Sequence, residues 1–319
     1  MEFVSLHYNV FSLECVITNS CRADAFKAGL DSNKQVKVAA EHYYQIDNQN
    51  PSQPQTLQRK SAHAHYNLTT NNPGGLMNHT KITTKFQDYD QALTYLKAHN
   101  PNIPFILSET GSALGTATES FNSAFGAALW AIDFKLYSMS RGVARVHGTQ
   151  RPQAPHSLWV PVANVTNSPG PQVRAPFYAE PFVADFVGKS GAKVGAVNMD
   201  LASDFLTAYA AYEDGKLARV ALLNMKEWKR GDGGRGVTQF KVKTDASRVK
   251  VVRLQAEEGT LAGGFDVDGR NITYGGVQWA KGLGNGRDFG TGRVDEVVVR
   301  GGEAVVEVAE SEGVVVHLG

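Results

Sequence analysis

The amino-acid sequence predicts an α/β unit with a parallel sheet, followed by an all-β unit built as an antiparallel β-sandwich. Up to about residue 186, strand-like and helix-like patterns alternate along the chain. After residue 192 the pattern changes to short strands with two-residue alternation, separated by glycine-rich turns. Alternating strands and helices are typical of parallel sheets, and short strands at regular spacing are typical of sandwiches. We therefore expect one unit at 21–186 and a second at 187–319.

The first unit contains three strand-like and two helix-like segments in alternating order. The strands are short apolar runs that lead into polar residues, and the helices carry apolar residues at every third or fourth position. Asn100-Pro101 ends the first helix, and Gly142 suits the position after the second. The segments are strand 36–44, helix 80–100, strand 105–107, helix 121–139 and strand 143–146.

The strand ends of this unit carry the candidate functional side chains. Glu109 follows a buried strand, which is where parallel-sheet enzymes place catalytic groups. The alternative is a structural carboxylate that caps the next segment or pairs with an arginine such as Arg145. Tyr43 and Tyr44 end the preceding strand, where a phenol can orient a carboxylate or stack on a sugar ring, although such tyrosines are also common in cores.

Three parallel strands are too few to close a barrel. The residues alone leave two architectures open: a small open sheet, or part of an eight-stranded barrel whose other strands are not in the chain. Either would leave a strand edge and apolar helix faces exposed, and we expect chains to associate through that surface.

The second unit contains seven segments with two-residue alternation. Turn sequences separate them, among them Glu213-Asp214-Gly215 and Arg300-Gly301-Gly302, as expected between antiparallel strands. The strands are 206–212, 217–223, 237–242, 249–254, 294–299, 304–308 and 314–318.

Composition excludes several classes of protein. The chain has 32 Lys plus Arg and 31 Asp plus Glu, a net charge of +1, which provides no basic field for nucleic acid. No apolar run reaches the roughly 18 residues that a membrane helix needs. Two cysteines, Cys15 and Cys21, are too few for a disulfide-rich scaffold or a four-cysteine zinc site, and they form either one small loop or two free thiols.

Four acceptor patterns for N-glycosylation fit a secreted protein. No signal peptide is visible at 1–18, because acidic and polar residues interrupt the apolar run and no basic region precedes it. The acceptor asparagines are Asn67, Asn78, Asn164 and Asn271.

Several motifs together resemble one enzyme family. The runs AEHYYQ at 40–45, LMNH at 76–79 and PFILSETGS at 104–112 stand in the order and spacing of the fungal branch of glycoside hydrolase family 79, which holds β-glucuronidases and relatives of heparanase. The resemblance continues through GVARVH at 142–147, SLWVPV at 157–162 and PFVADF at 181–186. It covers roughly residues 21–319, and 1–20 match the family poorly.

The resemblance implies a fold and a reaction. The fold is a (β/α)8 TIM-type barrel, of which this chain would hold the region of strands six to eight, followed by a β-sandwich. The implied reaction is retaining hydrolysis of a β-glucuronoside-type carbohydrate outside the cell, without metal or cofactor. Glu109 would be the nucleophile and Tyr43 would orient it. The implied substrate-binding residues are Tyr44, Ser112, His147 and Trp159.

One departure from the family matters for activity. The family's acid/base glutamate lies in an Asn-Glu motif, and no Asn-Glu dipeptide occurs in this chain. Glu41 is the nearest substitute in sequence, but it maps to the sixth strand and not to the fourth. We therefore expect a truncated enzyme with little or no hydrolytic activity. The alternative is a non-catalytic carbohydrate-binding or structural β-sandwich module with a vestigial barrel fragment.

Overall fold

The computed structural model describes ten stretches of the chain. These are residues 3–7, 10–14, 21–47, 75–114, 119–151, 154–161, 172–188, 194–263, 272–279 and 288–319.

A five-stranded, mostly parallel sheet forms the first layer. Its strands lie in the order β1-β2-β3-β4-β5; β1 and β2 pair antiparallel, whereas β2, β3, β4 and β5 run parallel to one another. The three predicted strands are confirmed as β3, β4 and β5, and two further strands precede them. The strands are β1 Phe3–His7, β2 Val10–Glu14, β3 Val36–Asp47, β4 Phe105–Leu114 and β5 Arg145–Gly148.

Helices cover one face of this sheet. The first predicted helix is confirmed, with Asn78 as its N-cap: the side-chain oxygen of Asn78 accepts a hydrogen bond from Lys81 N at 3.1 Å. Its buried stripe includes Ile82 and Phe86, as the spacing predicts. The helices are α1 Cys21–Lys27, α2 His79–His99, α3 Glu119–Asn122, α4 Phe125–Ser140 and α5 Ala179–Val187, with a 3-10 turn at Ala175–Tyr178 before α5.

The second predicted helix is interrupted, which the sequence pattern did not indicate. The backbone of Ala124 is extended, so α3 and α4 are separate helices. The first N–H groups of α4, on Phe125 and Gly126, donate to Ala262 O and Thr260 O at 2.9 Å each. These carbonyls belong to the antiparallel unit, so a tertiary contact satisfies helix-end groups that would otherwise need a cap.

The second unit is antiparallel, as predicted. All seven predicted strands are present. The hairpin between β9 and β10 turns at Asp214 and Gly215, whose φ values of 49° and 79° suit a two-residue turn. A seven-stranded sheet runs in the order β13-β12-β18-β10-β9-β8, with β16 beside β12, and β11 pairs with β17. The strands are β8 Val194–Asn198, β9 Leu206–Glu213, β10 Lys216–Asn224, β11 Val237–Lys243, β12 Arg248–Ala256, β13 Ile272–Tyr274, β16 Asp295–Val298, β17 Glu303–Ala309 and β18 Glu312–His317. Four two-residue strands form two separate antiparallel pairs: β6 Trp159–Val160 with β7 Gln172–Val173, and β14 Gln278–Trp279 with β15 Asp288–Phe289.

The large antiparallel sheet is buried on both faces. On β10, Val220 and Leu222 pack into a core shared with the β11–β17 pair, while Ala221 and Leu223 face the core shared with the helices. This alternation follows from the two-residue period of a strand. Helices α4 and α5 therefore lie between the parallel sheet and the antiparallel sheet. No helix within the described residues is long and apolar enough to cross a bilayer.

A buried polar cluster joins α2, α4 and β9. Asp133 of α4 lies 3.0 Å from His79 Nδ1 and accepts a hydrogen bond from the hydroxyl of Tyr209. Asn198 Nδ2 lies 3.3 Å from His79 Nε2. Burial alone would lower the pKa of His79, but the charge and hydrogen bond of Asp133 outweigh it, so the pKa is raised. The cluster stabilises the junction between the helices and the antiparallel sheet.

We expect Asp133→Asn to lower the free energy of unfolding by about 1.5–3 kcal/mol at pH 6, because a hydrogen bond to a charged group is lost. Since the folded pKa of His79 is raised, its protonated form stabilises the fold below the unfolded pKa of about 6.5, and this contribution disappears as pH rises through the folded value. The deficit of the variant should therefore shrink towards pH 8 in urea titrations. The control Asp90→Asn removes an exposed ion pair with Arg141 and should cost at most about 1 kcal/mol. A deficit that grows with pH would contradict the assignment.

Candidate active site

Glu109 lies within strand β4, near the carboxyl end of the parallel sheet. The predicted strand 105–107 extends to Leu114, so Glu109 lies inside the strand and does not follow it. The pairing of β3 with β4 shifts register between Glu41 and His42, which sets Glu109 opposite His42. The side chain of Glu109 is 43 % exposed, so the carboxylate is held by the sheet and accessible to a ligand.

Two residues of β3 contact the Glu109 carboxylate. The hydroxyl of Tyr44 donates a hydrogen bond to Oε1 and lies 3.0 Å from Thr149 Oγ1. His42 Nδ1 lies 3.9 Å from the same carboxylate oxygen. The pKa of Tyr44 is raised to about 12, mainly because the side chain is buried and secondly because its hydroxyl donates a hydrogen bond to Glu109. The phenol is therefore neutral at ordinary pH and acts as a donor that fixes the orientation of the carboxylate.

Tyr43, expected to orient Glu109, does not contact it. Neighbouring residues of a strand point to opposite faces, and Tyr43 points into the core, where its ring stacks on Phe134 with centroids 4.3 Å apart. It is fully buried, and its hydroxyl donates to Gln45 Oε1. The tyrosine that reaches Glu109 is Tyr44, which the sequence assigned to substrate binding. The expected role of Tyr43 is thus corrected to a packing role.

Gly111 allows Tyr44 to reach Glu109. Tyr44 and Gly111 are direct partners across β3 and β4. A Cβ atom on Gly111 would lie 2.8 Å from Cε1 of the Tyr44 ring, closer than van der Waals contact permits. Only glycine therefore leaves room for the ring to lie across β4 at this position.

Arg145 and Glu41 have surroundings that differ from those of Glu109. Arg145 is exposed and pairs with Ile106 across the strands, and among the described residues Glu109 contacts Tyr44 and His42 instead of an arginine. Glu41 is buried, 3 % exposed, and precedes His42 on β3. By strand alternation its side chain lies on the face opposite to that of His42 and Tyr44.

The other predicted substrate-binding residues differ in their surroundings. Ser112 is buried and its Oγ accepts a hydrogen bond from Asn122 Nδ2 at 2.7 Å, which ties α3 to β4. The side chain of His147 is exposed, and its backbone carbonyl accepts from Thr110 Oγ1 at 2.9 Å. Trp159 is 42 % exposed and lines a cavity beside the site together with Ser112.

The sequence interpretation missed His42, Thr149, Gly111 and His156. The two-residue period of a strand could have indicated His42, because His42 and Tyr44 are two residues apart and share a face. The others depend on tertiary contacts between segments distant in sequence. His156, in the segment after β5, places its ring edge-on to Tyr44 with centroids 6.3 Å apart.

Several predicted modification sites lie outside the described part of the chain. Among the acceptor asparagines only Asn78 is described, and its side-chain oxygen caps α2. The hydroxyl of Thr80, the third residue of that acceptor pattern, donates to Asp204. Glycosylation of Asn78 stays a prediction, as does the state of the cysteines, whose side chains are not described. Within the described residues, no group of three or more His, Cys, Asp or Glu side chains could hold a metal ion. The predicted modification sites and cysteine that lie outside the described residues are Asn67, Asn164, Asn271 and Cys15.

Comparison with known proteins gives a family match in the antiparallel unit. Residues 208–315 match the family model described as the glycosyl hydrolase family 79 C-terminal beta domain. The resemblance to family 79 is confirmed. A β-glucuronidase of Aspergillus niger is 30 % identical over 306 residues, which cover 92 % of this chain and 52 % of that protein. A β-glucuronidase of Neurospora crassa is 30 % identical over 224 residues, which cover 67 % of this chain and 37 % of that protein.

Solved structures show the same fold. A 4-O-α-L-rhamnosyl-β-D-glucuronidase from Fusarium oxysporum superposes with a TM-score of 0.72 at 21 % identity, covering 95 % of this chain and 57 % of that one. A family 51 arabinofuranosidase from Xanthomonas axonopodis pv. citri gives a TM-score of 0.59 at 10 % identity, covering 97 % and 58 %. The chain spans about half the length of the curated relative from A. niger.

We expect Gly111→Ala to lower the free energy of unfolding by about 1–3 kcal/mol, because the added methyl group overlaps the buried Tyr44 ring. Gly148→Ala is a matched control on the neighbouring strand, since an added Cβ there meets open space. Its effect should stay within about 0.5 kcal/mol. Urea titrations of both variants measure the difference. Equal stabilities would mean that Tyr44 does not rest on Gly111.

Proposed function

We propose that this chain carries the nucleophile of a retaining glycoside hydrolase of the β-glucuronidase type, and that Glu109 is that nucleophile. One observation carries the proposal: the accessible Glu109 carboxylate lies on a parallel strand and accepts a hydrogen bond from Tyr44. The similarity to two fungal β-glucuronidases supports a carbohydrate substrate with a β-linked glucuronosyl unit. An extracellular location belongs to the same proposal.

The reaction begins with attack of a Glu109 oxygen on the anomeric carbon. A carbon–oxygen ester bond forms, the glycosidic carbon–oxygen bond breaks, and the leaving group departs with its electron pair. Tyr44 keeps one carboxylate oxygen hydrogen-bonded and so directs the other towards the sugar. Water then hydrolyses the ester and releases the sugar with retained configuration.

In the proposed architecture, β3, β4 and β5 are the sixth, seventh and eighth strands of a (β/α)8-type arrangement. The similarity in fold to the glucuronidase from F. oxysporum supports this correspondence. Glu109 then lies on the seventh strand, which holds the nucleophile in the family that the chain resembles. Among the described side chains, Glu41 is not suited to act as the acid/base residue, because it is buried and faces away from Glu109.

The first step can be tested without a general acid. A dinitrophenyl 2-deoxy-2-fluoro-β-glucuronide has a leaving group that departs without protonation, and the fluorine slows hydrolysis of the ester, so the glycosyl-enzyme accumulates. We expect one covalent label per chain, located on Glu109 by peptide mass spectrometry. Glu109→Gln should abolish labelling, and Glu257→Gln, at an exposed glutamate of the antiparallel unit, should leave it unchanged.

Labelling of another residue, or none at all, would refute this role of Glu109. If labelling failed while glucuronoside binding persisted, the result would favour the alternative, a non-catalytic carbohydrate-binding module.

Tyr44→Phe should slow labelling by about 10- to 150-fold, the kinetic equivalent of a hydrogen bond to a charged group worth about 1.5–3 kcal/mol. Tyr43→Phe is the matched control: it removes a hydroxyl from the adjacent residue on the other face of β3 and should leave the labelling rate unchanged. The two rates are measured from the release of dinitrophenolate. A slower rate in Tyr43→Phe than in Tyr44→Phe would restore the role that the sequence assigned to Tyr43.

A further inference from the structure

Two side chains of helix α2 bind the backbone of β3 at the candidate site. The hydroxyl of Tyr89 donates a hydrogen bond to the carbonyl oxygen of His42 at 2.6 Å. The ammonium group of Lys85 donates to the carbonyl oxygen of Tyr44. His42 and Tyr44 are the residues of β3 whose side chains contact the Glu109 carboxylate. The helix therefore holds the strand at the two positions from which these contacts are made.

The spacing of the two donors on the helix matches the spacing of the two acceptors on the strand. Lys85 and Tyr89 are four residues apart, so they lie on one face of α2, about 6 Å apart along its axis. His42 and Tyr44 are two residues apart, which is about 6.6 Å along a strand. The earlier helix residue binds the later strand residue, as expected where a helix runs back along the strand before it. The two bonds thus fix one register of α2 along β3.

The carbonyl groups of His42 and Tyr44 lie beyond the end of the pairing between β2 and β3. Ala39 N donates to Pro104 O at 3.0 Å, so the backbone groups of Ala39 face β4, and successive residues of a strand alternate sides. The extra residue at the register shift belongs to β4, so this alternation continues along β3. His42 and Tyr44 therefore face the side of β2, which pairs with β3 only as far as Ala40. Beyond that point the side chains of α2 supply donors to the strand.

Both donors are shielded from water. Tyr89 is buried, and Lys85 is half-buried, with Nζ 5.6 Å from the centroid of the Tyr43 ring. A lysine is ordinarily solvated, so this position requires the carbonyl and the ring to replace water around the ammonium group. A residue needed only to fill space between helix and strand would be apolar. The polar groups of this pair therefore indicate a role in fixing the backbone of β3.

Helix α2 is anchored independently of these two bonds. At its start, His79 Nδ1 lies 3.0 Å from Asp133 of α4. Between the two donors, Phe86 packs against the Tyr43 ring with centroids 6.4 Å apart. A functional side chain keeps its geometry when its support is rigid. Loss of either donor would therefore let β3 shift at the site while α2 remains folded.

We propose that Lys85 and Tyr89 are positioning residues for the reaction at Glu109. They act through the backbone of β3, by holding Tyr44 where its hydroxyl directs the carboxylate and by holding His42 beside it. The inference rests on the proposed function, because the reaction concerned is the attack of Glu109 on the sugar. Since both residues bind the backbone and act through Tyr44, their effect on the rate should disappear once Tyr44 can no longer donate.

Labelling of the full chain by the dinitrophenyl 2-deoxy-2-fluoro-β-glucuronide tests this role. We expect Tyr89→Phe and Lys85→Met each to lower the maximal labelling rate by about 2- to 10-fold, the kinetic equivalent of a lost hydrogen bond, with the half-saturating reagent concentration unchanged. In a chain that also carries Tyr44→Phe, the same substitutions should change the rate by less than about twofold, because interacting residues are not additive. The matched controls Tyr95→Phe and Lys97→Met, nearer the end of α2, should label like the unsubstituted chain.

A second measurement does not depend on labelling. In a chain whose tyrosines are isotope-labelled at Cζ, the NMR resonance of Tyr44 reports the hydrogen bond of its hydroxyl, and its absence in Tyr44→Phe assigns it. The resonance should move in Tyr89→Phe and in Lys85→Met, and it should stay in place in Tyr95→Phe. If Tyr89→Phe does not fold, Lys85→Met, at a half-buried position, gives the same comparisons.

The two measurements separate this inference from the proposed function. An equal loss of rate with and without Tyr44→Phe, or a Tyr44 resonance that stays in place in both α2 variants, would overturn the positioning role. Labelling of Glu109 together with an unmoved resonance would refute the positioning role alone. A moved resonance in a chain that is not labelled would refute the proposed function alone, and the hold of α2 on Tyr44 would stand.

Discussion

The pairing of β3 with β4 determines the geometry of the candidate site. A register shift between Glu41 and His42 brings Glu109 opposite His42, and two residues later Tyr44 lies across Gly111. Because Gly111 has no Cβ, the phenol can lie against the strand and donate to the carboxylate. This one pairing sets the hydrogen bond from Tyr44 to Glu109 and the accessible position of the Glu109 carboxylate. It also places Tyr43 on the opposite, buried face of β3.

The antiparallel unit supports that pairing through the helices. Two clusters of similar composition join helices to the large sheet: Asp133 binds His79 and Tyr209, and Asp185 of α5 binds Tyr274 and His317, the latter at 3.2 Å. Such partners matter most for Asp133, which is fully buried, because an uncompensated charge away from water is costly; Asp185 is only partly buried. The clusters restrict how α4 and α5 can lie against the large sheet, and α4 in turn packs against β3, where Phe134 stacks on the Tyr43 ring.

Much of the architecture could be predicted because it depends on local periodicity. The stripe of α2, the order of β3, β4 and β5 and all seven strands of the antiparallel unit follow from apolar spacing. The break at Ala124 could not be predicted, since the N–H groups of α4 are satisfied by carbonyls more than 130 residues away in sequence. Strands β1, β2, β8 and β13 were missed because short strands give weak patterns.

The sequence by itself determined the change from a parallel to an antiparallel sheet, the family resemblance and Glu109 as the candidate carboxylate, because these rest on periodicity and on motif order. Tertiary structure decided which tyrosine orients that carboxylate. The choice between Tyr43 and Tyr44 depends on which strand face meets α4, and a run of two tyrosines carries no such information. Tertiary structure also decided that His156 is buried beside Tyr44, since a loop histidine is ordinarily solvated and only the folding of the segment over β4 removes it from water.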